Sequence, residues 1–237
     1  GRTNGHWIHH IARYGMPVTP NTSAAPPARR QQHDELYKQT AAPTFSWDKV
    51  DLRPAPTTER QRTAEALARH TLALIAGEVR RGMLIDVTDQ EWTVGTRTAQ
   101  AFGKWKSSGT ARLLVDHTAS GLNPALITQQ EQMPPPQMAS LHQLARIVER
   151  MREARPHVKL LLSVYDLDKA FRRIPVRDTD THHLLFRVGQ RLLIDRGAPM
   201  GLATSPAVMC AISTAMAEAA TVEGQGTWCA YVDGFIG

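Results

Sequence analysis

The sequence predicts an α+β fold preceded by an extended arm, and three observations carry that prediction. Apolar residues recur at three- and four-residue steps in 59–76 and again after 137, the mark of helices with one buried face. Short apolar runs at 111–116, 158–166 and 227–236 have the length and composition of strands. The first 58 residues show neither pattern and hold seven of the fifteen prolines.

The arm comes first. Pro17, Pro20, Pro26, Pro27, Pro43, Pro54 and Pro56 remove backbone donors and fix φ, so 1–58 resists regular structure. Trp7, Ile8, Tyr14, Phe45 and Trp47 are scattered anchors that cannot form a core alone, so the stretch is expected to lie across a partner. In 59–76, Ala64, Leu67, Ala68, Leu72 and Ile75 form one apolar stripe, with Gly77 or Gly82 as its end. Residues 83–94 read as a short strand or buried turn, 101–110 as a flexible basic loop with Lys104 and Lys106, and 111–116 as a strand. A turn at Gly121 to Pro124 follows, then a stiff break at Pro134, Pro135 and Pro136.

A second amphipathic helix carries Met138, Leu141, Leu144, Ala145, Val148 and Met151 on one face. The continuous apolar run 158–166 is what a strand covered on both faces looks like. Residues 183–188 and 191–195 flank Gly189-Gln190 as a hairpin, 204–220 form a helix rich in Ala and Met, and 227–236 form a last strand containing Asp233. The elements divide into an arm (1–58), a middle region (59–137) and a C-terminal region (138–237).

Hydrophobic residues make up 42% of the chain, a globular value, and no run of 18 apolar residues suggests a membrane span. The formal charge is +6, and an excess of Lys and Arg favours a polyanionic partner, of which nucleic acid is the commonest. Cys210 and Cys229 can neither staple a chain this long nor form a metal quartet. His6, His9 and His10 lack zinc spacing and read as solvated arm residues. The first 33 residues contain Arg2, Arg13, Arg29 and Arg30 and no acid, which resembles the remnant of an organellar targeting region. A mitochondrial location is therefore expected, with a nuclear one as the alternative, and the start at Gly1 suggests processing or an upstream part.

Two acids stand out by position. Asp166 ends one apolar run and Asp233 interrupts another, and an acid there loses hydration unless a metal ion or a cation compensates. Nucleotidyl transfer uses this arrangement, with two Mg²⁺ ions roughly 4 Å apart held by carboxylate oxygens. Taken singly, either acid could instead cap a turn or pair with a nearby Arg.

The order of the segments adds a resemblance. Residues 164–176 read Val-Tyr-Asp-Leu-Asp-Lys-Ala-Phe-Arg-Arg-Ile-Pro-Val, 198–207 read Ala-Pro-Met-Gly-Leu-Ala-Thr-Ser-Pro-Ala, and 231–234 read Tyr-Val-Asp-Gly. With Arg112 to Asn123 (Arg-Leu-Leu-Val-Asp-His-Thr-Ala-Ser-Gly-Leu-Asn), this series resembles the reverse transcriptases of retroelements over about residues 100–237. The resemblance implies a polymerase-type palm, an antiparallel sheet backed by helices, over 138–237, partial fingers over 59–137, and no thumb. It implies metal-binding roles for Asp166 and Asp233, and a triphosphate grip for Arg112 with Lys104 or Lys106. Phe171 would sense the sugar 2′ position, and Met200 and Gly201 would pack on the nascent base pair and template.

The departures are as informative. The family's second Asp in Tyr-x-Asp-Asp is Gly234 here, and Lys169 stands where many relatives have a small or acidic residue. Asp168, two residues from Asp166, would point the same way on a strand and partly compensate. The expectation is a reverse-transcriptase-like chain with impaired catalysis, acting as an RNA-binding or scaffold part of a large assembly such as an organellar ribosome. The alternative is a fragment of an active RNA-directed DNA polymerase using two Mg²⁺ ions. A third reading is an unrelated α/β protein with chance motifs, in which Asp166 and Asp233 would not lie side by side.

Overall fold

The structure is a computed structural model. It describes residues 2–20, 34–41, 45–51, 58–92, 97–133, 135–136, 138–222 and 226–237, without the side chains of 2–7, 34 and 60. Pro26, Pro27, Pro43, Pro54, Pro56, Pro134, Arg29 and Arg30, and the side chains of Arg2, His6 and Trp7, lie outside that description.

Two sheets and seven α-helices make up a mixed α+β fold among the described residues. The larger sheet has five strands: β1 (Leu84–Asp86), β2 (Ala99–Trp105), β3 (Ala111–Val115), β5 (Leu185–Val188) and β6 (Arg191–Asp195). They lie in the order β1-β6-β5-β2-β3, antiparallel except for the parallel pair β2–β5. The smaller sheet is antiparallel and contains β4 (Val164–Asp166), β7 (Cys229–Tyr231) and β8 (Gly234–Ile236), in the order β4-β8-β7.

Helix α3 (Ala64–Arg80) covers the larger sheet. Thr63 caps it by accepting from the Ala66 amide at 3.1 Å, Glu65 and Arg80 oppose the helix dipole at its ends, and Gly82 follows with φ +69°. Of the two glycines expected to stop this helix, Gly77 is inside it and Gly82 lies past its end. Its inward residues Leu72, Ile75 and Ala76 meet Phe186, Val188 and Leu193 in one core. Strand β2 runs through a stretch expected to be loop, and only 106–110 is a turn. Its inward residues are the small Ala99 and Ala101, which conceal the apolar alternation of a strand. Gly103 completes the fit, because a Cβ there would run into Thr71 and Leu67 of α3.

The hairpin 185–195 forms as expected, with Gly189 at φ +57° and the Gln190 amide donating to Thr40 Oγ1 at 2.8 Å. It lies between β1 and β2 in the larger sheet, so a boundary at 137/138 does not separate the two sheets. A second core contains Leu122, Ile174, Val176, Leu202, Val208 and Met209. The short helices α4 (Leu122–Ala125) and α5 (Ile127–Gln132) flank it, and α7 (Ser205–Val222) supplies one wall. By length and composition α7 alone among the described helices could cross a membrane; here it packs on β7 and buries Ala207, Val208, Met209, Cys210, Ser213 and Ala217.

The N-terminal stretch is more regular than its prolines predict. Helix α1 (Arg2–Tyr14) packs against α7, and α2 (Asp34–Thr40) packs against α3. Ile11, Met16 and Val18 are buried in the second core, Met16 pairs with Val176, and the Val18 amide donates to Asp180 Oδ2 at 3.1 Å. His10 is half-buried, 3.1 Å from an Arg177 guanidinium nitrogen. The anchors divide: Trp47 is buried with its Nε1 donating to Asp86 at 2.6 Å, whereas Tyr14 stays exposed.

Three expectations change in the C-terminal region. Helix α6 (Leu141–Ala154) forms behind a Ser140–Gln143 capping box, but none of its residues is buried. The run 158–166 is not covered on both faces: only 164–166 is strand, and all three residues are exposed. The last predicted strand is two, because 229–236 folds into the hairpin β7–β8 with Asp233 in its turn.

Candidate active site

The turn of the β7–β8 hairpin consists of Val232 and Asp233, between the paired residues Tyr231 and Gly234. Val232 has φ +54°, a region a β-branched residue rarely enters, and its packing against the second core offsets that strain. On the neighbouring strand Asp166 is the register partner of Gly234, and the Leu167 amide donates to the Asp233 carbonyl at 3.1 Å. Asp166 and Asp233, 67 positions apart in sequence (233 minus 166), therefore sit on adjacent strand ends. Asp166 is exposed and Asp233 half-buried, and neither carboxylate caps a turn or pairs with an Arg among the described residues.

Gly234 is not required by space. A Cβ there would meet the carbonyls of Tyr231 at 3.5 Å and Tyr165 at 3.7 Å, ordinary contacts, and its φ is not in the left-handed region. Position 234 thus has room for a Cβ but carries none. Asp168 does not extend the strand. It lies in the turn after β4, its carboxylate 3.8 Å from Arg173, whose Nε donates to the Asp168 carbonyl at 2.8 Å. The strand-parity argument for Asp168 fails because the strand stops at Asp166. No group of three or more His, Cys, Asp or Glu side chains gathers in metal-binding geometry among the described residues.

The segment after β4 is held by charge. Lys169, left-handed at φ +53°, donates through Nζ to Glu78 Oε1 on α3 at 2.5 Å. Three residues on, Arg172 forms an ion pair with Asp195 of β6. Burial pushes the Asp195 carboxyl up to about 6, and the Arg172 guanidinium opposes that shift. His117, just past β3, is buried with no hydrogen-bond partner for either ring nitrogen among the described residues. Burial first, then Arg172, lowers its pKa to about 4, so it is neutral at pH 7.

The residues expected to contact nucleotide lie on three elements. Arg112 of β3 and Lys104 of β2 are register partners, and Lys106 follows β2 in the turn; all three are exposed. Phe171 is half-buried against the second core in a 3-10 turn, Ala170–Arg173. Met200 is exposed, and Gly201 has φ +102°, with a Cβ position 3.4 Å from the Val115 carbonyl at the end of β3. Asn123 ties this loop down: its Nδ2 donates to the Gly201 carbonyl and its Oδ1 accepts from the Ala203 amide, each at 2.8 Å. The cationic hairpin thus belongs to the larger sheet and the acids to the smaller. The loops around Val115, Gly201 and Arg172 connect them.

Sequence reasoning missed Asn123, His117 and Asp195 as structural parts of this region. Asn123 had a signal, since it ends the segment beginning at Arg112; the buried His117 and the Arg172–Asp195 pair had none.

No protein-family model matches the chain, and no curated protein matches it in sequence. Solved structures do. The foamy viral protease-reverse transcriptase in complex with double-stranded DNA matches with a TM-score of 0.50 at 14% identity, over 94% of this chain and 29% of that one. The native protease-reverse transcriptase of prototype foamy virus matches with a TM-score of 0.50 at 14% identity, over 99% of this chain and 26% of that one. The chain therefore spans under a third of the length of these neighbours. At this identity the likeness is one of fold, and that fold is reverse-transcriptase-like.

Proposed function

We propose that the chain is the fingers and palm of a reverse-transcriptase-like module that binds nucleic acid, RNA foremost, while its nucleotidyl transfer is impaired. The observation that carries this reading is the convergence of Asp166 and Asp233 on adjacent strand ends with Gly234 facing Asp166. Asp166 and Asp233 would hold one Mg²⁺ ion, which takes one or two carboxylates together with substrate phosphates. Such an ion, when bound, lowers the pKa of an attacking hydroxyl and neutralises phosphate charge. Two carboxylates are few for a clamp that needs two ions, and no third acid supplements them among the described residues.

Arg112, Lys104 and Lys106 would contact phosphates, where a guanidinium binds bidentately and an ammonium acts as a point charge. A DNA complex of one structural neighbour supports a nucleic-acid partner, and the charge of +6 supports a polyanion. Protein neighbours in a large assembly, an organellar ribosome among them, are part of this proposal.

The test is primer extension on an RNA template with deoxynucleotides and Mg²⁺, beside filter binding of the same RNA. Binding without extension is expected, and Gly234→Asp alone should fold normally yet restore no product. Extension by the unaltered chain would replace this reading with the alternative, a fragment of an active RNA-directed DNA polymerase.

A further inference from the structure

Among the described residues, two that are not glycine adopt a left-handed backbone, Lys169 at φ +53° and Val232 at φ +54°. Both flank the acid pair. Val232 directly precedes Asp233, and Lys169 follows Asp166 by three positions. Strain of this kind persists where the surroundings over-determine it. Packing does so for Val232, which lies against the second core. The Lys169 side chain is 41% exposed, so its anchor is a charge instead.

That charge is Glu78, near the end of α3. Glu78 is buried, and its Oε2 has no hydrogen-bond partner among the described residues. Its Oε1 accepts from Lys169 Nζ at 2.5 Å and from Arg81 at 3.1 Å. Arg81 is three residues away and mostly exposed, whereas Lys169 arrives from 91 positions away in sequence. A buried carboxylate stripped of its close cation is heavily penalised, so the Lys169 contact is held tightly. The contact runs from the helix that covers the larger sheet to the turn that follows Asp166.

Strand β4 fixes little by itself, because Val164, Tyr165 and Asp166 are all exposed. The bond that keeps Asp166 beside Asp233 is the one from the Leu167 amide to the Asp233 carbonyl, two residues before Lys169. Other charges hold the same turn less well or farther off. The Arg173–Asp168 pair is 3.8 Å long and exposed on both sides, a geometry that contributes little. The Arg172–Asp195 pair acts six positions beyond Asp166, past the buried Ala170. We propose that Lys169 is a positioning residue: its ammonium, clamped on Glu78, fixes the turn that holds Asp166 against Asp233. The geometry stands alone, and its use rests on the reading of the two acids as an ion site.

Hydrogen exchange of the Leu167 amide in the 237-residue chain tests the geometry without metal or nucleic acid. Lys169→Met should speed that exchange about tenfold and leave the amides of the 185–195 hairpin unchanged. Glu78→Gln should do the same, and the two together should add nothing further, since both break one contact. Lys169→Arg keeps a cation in reach of Glu78 and should retain most of the protection. Lys169→Gly suits the left-handed backbone but has no ammonium, so it should loosen as Met does. Full protection in Lys169→Gly would show that the position needs a backbone shape and not a charge, and would overturn the proposal. Unchanged Leu167 exchange in Lys169→Met and Glu78→Gln, or a rise shared by the hairpin, would overturn it as well. Mn²⁺ titration followed by water proton relaxation examines the underlying reading separately. The unaltered chain should bind Mn²⁺, Asp233→Asn should not, and Lys169→Met should bind about tenfold more weakly. Binding that Lys169→Met leaves equally tight would overturn the proposal. A chain that binds no Mn²⁺ would refute the ion site, and Leu167 exchange would still decide the role of Lys169.

Discussion

Asp195 and His117 both sit beside Arg172, yet they bend the stability curve in opposite directions. Asp195 has a raised folded pKa, so the folded state binds the extra proton between the ordinary value of 3.8 and about 6. Its contribution is full below 3.8 and is lost as pH rises through about 6. His117 has a lowered folded pKa, so the unfolded state holds the extra proton between 6.5 and about 4. That contribution is full above 6.5 and is lost as pH falls toward about 4. The two slopes offset each other in one window, and the chain should show a shallow pH dependence there. His117→Leu should remove the acid-side decline and add about 1 kcal/mol at pH 7, because two unpartnered buried nitrogens disappear. Urea unfolding at a series of pH values checks both. Arg172→Met should cost about 3 kcal/mol at pH 7 and less at pH 4, since it strands a buried carboxylate that protonation can neutralise. None of this was legible from the sequence. Each acid or imidazole met its partner only through folding, whereas Asp166 and Asp233 were legible because each stood out of place in an apolar run.

Among the elements, the long periodic ones were the readable ones. Helix α3, helix α7 and the 185–195 hairpin each carry a pattern that tertiary packing reinforces. Strand β2 was read as loop because its inward side chains are small and because Lys104, Lys106, Ser107, Ser108 and Gly109 dominate the stretch 101–110. The cause is contact between layers, not propensity: α3 lies so close to β2 that only a residue without Cβ fits at 103. Gly103→Ala should therefore destabilise by about 1–3 kcal/mol, measured as a lower urea midpoint at unchanged slope. The β7–β8 hairpin was read as one strand because its turn residues, Val and Asp, are not the usual Asn-Gly or Gly-rich pair. The apolar stripe of α6 was read correctly as a stripe, but burial did not follow from it, since periodicity shows that a face exists and not that anything covers it.

For the molecule as a whole, the proposed function has the cationic hairpin and the acidic strand ends divide the work of a polyanion site. Binding of single-stranded RNA should weaken as salt rises, and replacing Lys104, Lys106 and Arg112 by Ala should lower the slope of log K against log salt by about 2. Fluorescence anisotropy at stepped ionic strength measures it, and an unchanged slope would remove the hairpin from the binding surface. One further consequence lies in the threading of residues 16–18. Val18 meets Asp180 across 162 positions of chain, so residues 16–18 cannot settle until residues 176–180 have been made. A nascent chain halted before residue 176 should leave Met16 open to protease, and one released past 195 should shield it. In the interval an amphipathic α1 travels uncovered, which makes the order of synthesis, and whatever chaperone attends it, a factor in whether this protein is made intact.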